Sequence, residues 1–176
     1  MGKEEISVVT SILRNGALTS SANQGGKHVQ AFEKSITSFV KSKYAIAVNS
    51  GTAALQAALY ALDIKKGDEV LVPSFTFVAT ANAIVSTGAK PIFVDILKEN
   101  YTIDPDDLQK KITKKTKAIV AVHWAGEPFD IKRINQIARK HKIKVIEDAA
   151  HALDSTYGGK KIGNHSDFVC FSFQAI

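Results

Sequence analysis

A chain of 176 residues that is 45% hydrophobic and 23% charged has the length and composition of one ordinary globular domain, which excludes a disordered or fibrous protein. Its net charge of +6 comes from lysines in scattered pairs, Lys65–Lys66, Lys110–Lys111 and Lys114–Lys115, each interrupted by acids. That pattern reads as a solvated surface, able to attract an anionic small substrate, and not as a footprint for nucleic acid.

The single cysteine, Cys170, lies in an apolar run, so neither a disulfide framework nor a cysteine-rich zinc site is expected. No apolar run approaches the roughly 18 to 20 residues of a membrane span, and the start MGKEEISVV lacks the basic and apolar regions of a signal peptide. These features predict a cytoplasmic protein without a membrane partner or a metal site.

In chain order, the apolar period alternates between that of helices and that of strands. A small-residue loop, Leu18 to Gly26, is expected between the first two helices. A helix follows at Val29 to Val40, a strand at Tyr44 to Val48 and a helix at Thr52 to Leu62. Next come a strand at Glu69 to Val72, a helix at Phe77 to Thr87, a strand at Pro91 to Val94 and a helix at Pro105 to Lys111. The last is opened by Asp104 as N-cap and by a first-turn proline. The remaining elements are strands at Ala118 to Val122, Lys144 to Ile146 and Phe168 to Phe173, with a helix at Ile131 to His141. Strands that are apolar throughout and separated by helices imply an α/β domain with a mostly parallel sheet flanked by helices. Such sheets bind ligands at the carboxyl ends of their strands. This directs attention to Asn49 to Ala53, Pro73 to Phe77, His123 to Gly126 and Glu147 to His151.

In Asn49-Ser50-Gly51-Thr52-Ala53-Ala54 a turn enters a helix, where unpaired backbone N–H groups and a glycine suit a phosphate. An N-capped helix with nothing bound fits the same residues. The turn has neither the lysine of a P-loop nor the glycine spacing of a dinucleotide fingerprint. In Ile146-Glu147-Asp148-Ala149-Ala150-His151 a carboxylate at a strand end suits a cationic group, or else caps a helix. In Pro73-Ser74-Phe75-Thr76-Phe77-Val78-Ala79-Thr80 an aromatic ring is placed to stack on a flat ligand or to pack in the core.

The ordered set NSGTAAL, GDEVLVPSFTFVATANAI, PIFVDI, IDP, KAIVAVHWAG, IEDAAHA and DFVCFSFQAI resembles the DegT/StrS-type nucleotide-sugar aminotransferases from about Leu18 to Ile176. That resemblance implies the large domain of the aspartate-aminotransferase fold, with pyridoxal 5'-phosphate (PLP) as cofactor. It implies that Gly51, Thr52 and Ser172 hold the cofactor phosphate and that Phe77 stacks on the pyridine ring. It also implies that Asp148 pairs with the ring nitrogen and that His151 lies near the ring hydroxyl. His123 matches a histidine common in its loop, a weaker candidate for substrate contact. The activity implied is transfer of an amino group, from glutamate as donor, to a keto group of a nucleotide-linked sugar, in a homodimer to whose shared site the Leu18 to Gly26 loop contributes. By the same resemblance the chain ends one position before the lysine that carries PLP, lacks the small C-terminal domain and an initial short segment, and is inactive alone. Relatives with histidine in place of that lysine remove a sugar hydroxyl. That dehydratase activity and a non-catalytic PLP-binding role are the alternatives.

Overall fold

The computed structural model describes residues 2–16, 18 and 25–174. These fall into two compact units, residues 1–47 and 48–176. In the first, helix α1 (Lys3–Asn15) carries Glu4 and Glu5 in its first turn, the acidic end favoured by the helix dipole. It closes on Gly16 at φ 64°, the left-handed conformation that glycine adopts without a side-chain clash. Helix α2 (Lys27–Val40) follows. The apolar face of α1, with Ile6, Val9 and Leu13, is solvent-exposed.

The second unit contains helices α3 (Gly51–Ala61), α4 (Val78–Ser86), α5 (Pro105–Lys111) and α6 (Ile131–His141). Strands β1 (Glu69–Pro73), β2 (Lys90–Val94), β3 (Thr116–Val122), β4 (Lys144–Asp148) and β7 (Phe168–Cys170) form one sheet in the order β2-β1-β3-β4-β7. All four pairings are parallel. A short antiparallel hairpin, β5 (Thr156–Tyr157) with β6 (Lys160–Lys161), stands apart from the sheet.

Side chains alternate along each strand, so neighbouring residues enter different cores. On one face Val70, Val72, Ala118, Val120, Ile146 and Cys170 pack with Leu55 and Leu59 of α3 and Ala83 and Ile84 of α4. On the other, Leu71, Ile119, Ala121 and Val145 pack with Leu108 of α5 and Ile131, Ile134 and Ile137 of α6. Burial on both faces explains why these strands read as continuous apolar runs.

The sheet and helices agree with the expected α/β class, but Tyr44 to Val48 is not a strand. Among the described residues it joins no ladder, and Tyr44 and Ile46 are 72% and 83% exposed. Its alternating pattern lacks the partner that makes a strand. The Ala47 amide instead donates to Glu33 Oε1 at 2.8 Å. The last expected strand likewise ends at Cys170, before Phe173.

Candidate active site

β4 delivers two acids to its carboxyl end, and alternation sends them to opposite faces. Asp148, 6% exposed, points to the α3/α4 side. Its Oδ2 accepts a hydrogen bond from Thr80 Oγ1 of α4 at 2.8 Å, and its Oδ1 accepts one from the Ala150 amide at 3.2 Å. Burial pushes its carboxyl above the usual carboxylate range, against the opposing pull of Thr80, Ala150 and the nearby His151 and His123. No lysine or arginine forms an ion pair with Asp148 among the described residues. This buried acid therefore has neutral donors only, and a cationic ligand atom would complete its charge balance.

Glu147 is fully buried on the α5/α6 side, with its Oε2 2.9 Å from His123 Nε2. The His123 ring stacks on Phe129 at 4.5 Å between centroids. His123 Nδ1 and Glu147 Oε1 have no protein partner among the described residues. His123, the weaker substrate candidate, thus presents no exposed surface, and its ring is engaged with Glu147 and Phe129 behind the sheet.

The turn into α3 lies against the segment that follows β7. Ser50 caps the helix by accepting from the Ala53 amide at 3.1 Å, so the capped-helix reading of this turn is realised. A Cβ on Gly51 would meet Ser172 Cβ at 2.9 Å and Ser172 Oγ at 3.2 Å. Gly51 and Ser172, far apart in sequence, are therefore brought together with Thr52 at the start of α3, and only glycine permits the approach. A helix N-terminus flanked by two hydroxyl side chains is a donor set suited to phosphate.

Phe77 is the N-cap of α4 and is 67% exposed. Its carbonyl accepts from the Thr80 amide at 3.0 Å, so the exposed ring and the Asp148 contact belong to one turn. Phe75 is engaged elsewhere, packed on Trp124 at 4.5 Å and on Tyr101 at 5.7 Å. His151 is exposed, meets Trp124 edge-on at 5.6 Å, and accepts from the Ala125 amide through Nδ1 at 3.3 Å. Ala125 sits at φ 51° in the 3-10 turn after β3. The Leu18 to Gly26 loop lies largely outside the described residues.

Sequence reasoning missed Thr80 and Thr76, whose hydroxyls lie 2.8 Å apart. Their signal was two hydroxyls four residues apart, on one side of a helix start that is otherwise apolar. It also missed the pairing of His123 with Glu147, which no spacing announces.

The model of the DegT/DnrJ/EryC1/StrS aminotransferase family matches residues 1–176. The chain belongs to this family. It is 46% identical over 175 residues to the spore coat polysaccharide biosynthesis protein SpsC of Bacillus subtilis, covering 99% of this chain and 44% of SpsC. The aminotransferase from Psychrobacter cryohalolentis superposes with a TM-score of 0.92 at 38% identity, over 98% of this chain and 43% of that one. Spr1654 of Streptococcus pneumoniae, described as a sugar aminotransferase, superposes with a TM-score of 0.93 at 34% identity, over 100% of this chain and 47% of its own. It has been solved in PLP, pyridoxamine phosphate and apo forms. The chain thus spans less than half the length of these relatives. PLP is the cofactor of family members, and the site's anion-suited turn, exposed ring and cation-seeking buried acid fit its phosphate, ring and ring nitrogen.

Proposed function

We propose that residues 1–176 are part of the cofactor-binding large domain of a PLP-dependent aminotransferase. It moves an amino group from glutamate to a keto group of a nucleotide-linked sugar. The observation that carries this reading is Asp148, a buried carboxylate whose donors among the described residues are neutral, at the ligand end of a parallel sheet. Family membership and the polysaccharide role in the name of SpsC support the sugar substrate.

Bound PLP supplies an electron sink for the electrons released at a substrate carbon. Asp148 holds the proton on the ring nitrogen that this sink requires. Gly51, Thr52 and Ser172 would bind the phosphate and so hold the cofactor. Phe77 would pack on the ring, and its apolar surface would exclude water there. His151 orients the ring through its hydroxyl. His123 serves the fold through Glu147 and makes no substrate contact. The working protein is a cytoplasmic homodimer.

The test is the full-length gene product that carries this chain, purified with PLP and supplied first with glutamate and then with keto-sugar nucleotides. Stoichiometric 2-oxoglutarate from the first step and an amino-sugar nucleotide from the second are expected. A protein that holds no PLP and releases no 2-oxoglutarate would sink the proposal. A sugar product that has lost a hydroxyl without gaining nitrogen would replace transamination with dehydration.

A further inference from the structure

A carboxylate buried as deeply as Asp148 must be both kept ionised and aimed, and the helix beside it supplies the means. Thr80 is 1% exposed, and its hydroxyl lies 2.8 Å from Asp148 Oδ2 and 2.8 Å from Thr76 Oγ1. A hydroxyl has one proton to give. An ionised carboxylate only accepts, so Thr80 donates to Asp148, and Thr76 must donate to Thr80. The hydrogen-bond chain Thr76→Thr80→Asp148 is therefore directional. Thr76 lies just before the N-cap Phe77 and Thr80 in the first turn of α4, so the exposed Phe77 falls between them.

We propose that Thr80, oriented by Thr76, is a positioning residue for Asp148: it fixes the carboxylate and sustains its charge, so that an oxygen remains directed at a cationic ring nitrogen. This rests on the reading of the site as a PLP site. Other ionisable groups near Asp148 are His151 after β4, His123 after β3 and Cys170 on β7, the last with its thiol pushed up to about 12 by burial. Glu147 projects to the opposite face of β4 and is paired with His123. None of these groups donates a hydrogen bond to the Asp148 carboxylate. The side-chain donor is Thr80, and the remaining bond comes from the Ala150 amide.

The experiment compares wild-type, Thr80→Val, Thr80→Ser and Thr76→Val full-length proteins by PLP dissociation constant across pH, with thermal melting of the PLP-free proteins as a control on the fold. Valine preserves the shape of threonine and removes the hydroxyl, whereas serine keeps the hydroxyl. Thr80→Val is expected to weaken PLP binding about tenfold at neutral pH, the scale of a lost hydrogen bond to a charged group. It should also shift the acid-side loss of affinity to higher pH, because a carboxylate without this donor protonates sooner. Thr80→Ser should retain the wild-type profile, and Thr76→Val should shift it in the same direction by less. Wild-type affinity and pH profile in Thr80→Val would overturn the proposal, as would equal impairment of the valine and serine variants, which would mark a packing role. Should Thr80→Val not fold, Thr76→Val at its half-buried position decides: an unshifted profile overturns the chain. A wild-type protein that binds no PLP would instead overturn the proposed function itself.

Discussion

At Asp148 the fold tolerates a cost for the sake of a site. A carboxyl group whose folded-state value is raised by burial binds its proton more tightly in the native than in the unfolded state. The PLP-free protein therefore loses stability through this group as pH rises from the ordinary carboxylate range through the raised value, and the penalty is fully present only above that value. Asp148→Asn should accordingly raise the melting temperature of the PLP-free protein at pH 7, by an amount that shrinks on acidification, while weakening PLP binding. A variant that melts below wild type at pH 7 and shows no pH-dependent difference would contradict this assignment of the penalty. Gly51 acts through space instead of charge. A side chain there meets Ser172 at 2.9 Å, so Gly51→Val should displace the Ser172 segment and weaken PLP binding by more than about tenfold, or 1.4 kcal/mol. Equilibrium titration of the variant reads this directly, and unchanged affinity would remove the phosphate role from the turn.

At the scale of elements, short helices begin where side chains satisfy their first amides. Asp104 accepts from the Asp106 amide at 2.8 Å, and Pro105 occupies the first turn of α5. Asp130 accepts from the Arg133 amide at 3.0 Å to start α6. Replacing Asp104 with alanine should cost about 1 kcal/mol, a typical N-cap value. Chemical denaturation should show a lowered midpoint with an unchanged slope. The Asp104 cap, and the boundaries of α5 and α6, were readable in the chain because capping and apolar periodicity are local, whereas the Asp130 cap was seen only in the structure. The expected strand Tyr44 to Val48 had the right local pattern, yet a ladder is a pairwise property and no partner pairs with it among the described residues. The β5–β6 hairpin escaped notice for the opposite reason. Its strands are two residues each, too short to show a period.

In the second compact unit, a buried ionisable pair is enclosed between the sheet and its α5/α6 layer. Glu147 and His123 are both fully buried, and Phe129 stacks on the imidazole. Removing one member leaves the other polar and unpartnered in an apolar core, so Glu147→Leu alone should cost about 3–5 kcal/mol. The double variant His123→Leu with Glu147→Leu should cost much less than the sum of the single changes, because no polar group is then stranded. A double-mutant cycle by denaturant unfolding measures the difference, and simple additivity would rule out direct coupling of the pair.

The amino-acid sequence by itself determined the α/β alternation, most element boundaries and the ligand end of the sheet. These follow from apolar periodicity, caps and glycines within a few residues of one another. It also displayed the ordered motifs of the family. Which face each of two adjacent acids takes was decided only in three dimensions. Strand alternation sends Asp148 to Thr80 and Glu147 to His123, and the register of β3 against β4 brings His123 to a carboxylate 24 residues away. The close approach of Gly51 to Ser172 likewise joins a helix start to a strand end across most of the chain. Such contacts depend on how the parallel sheet orders its strands, a long-range choice that neither residue's neighbours in sequence record.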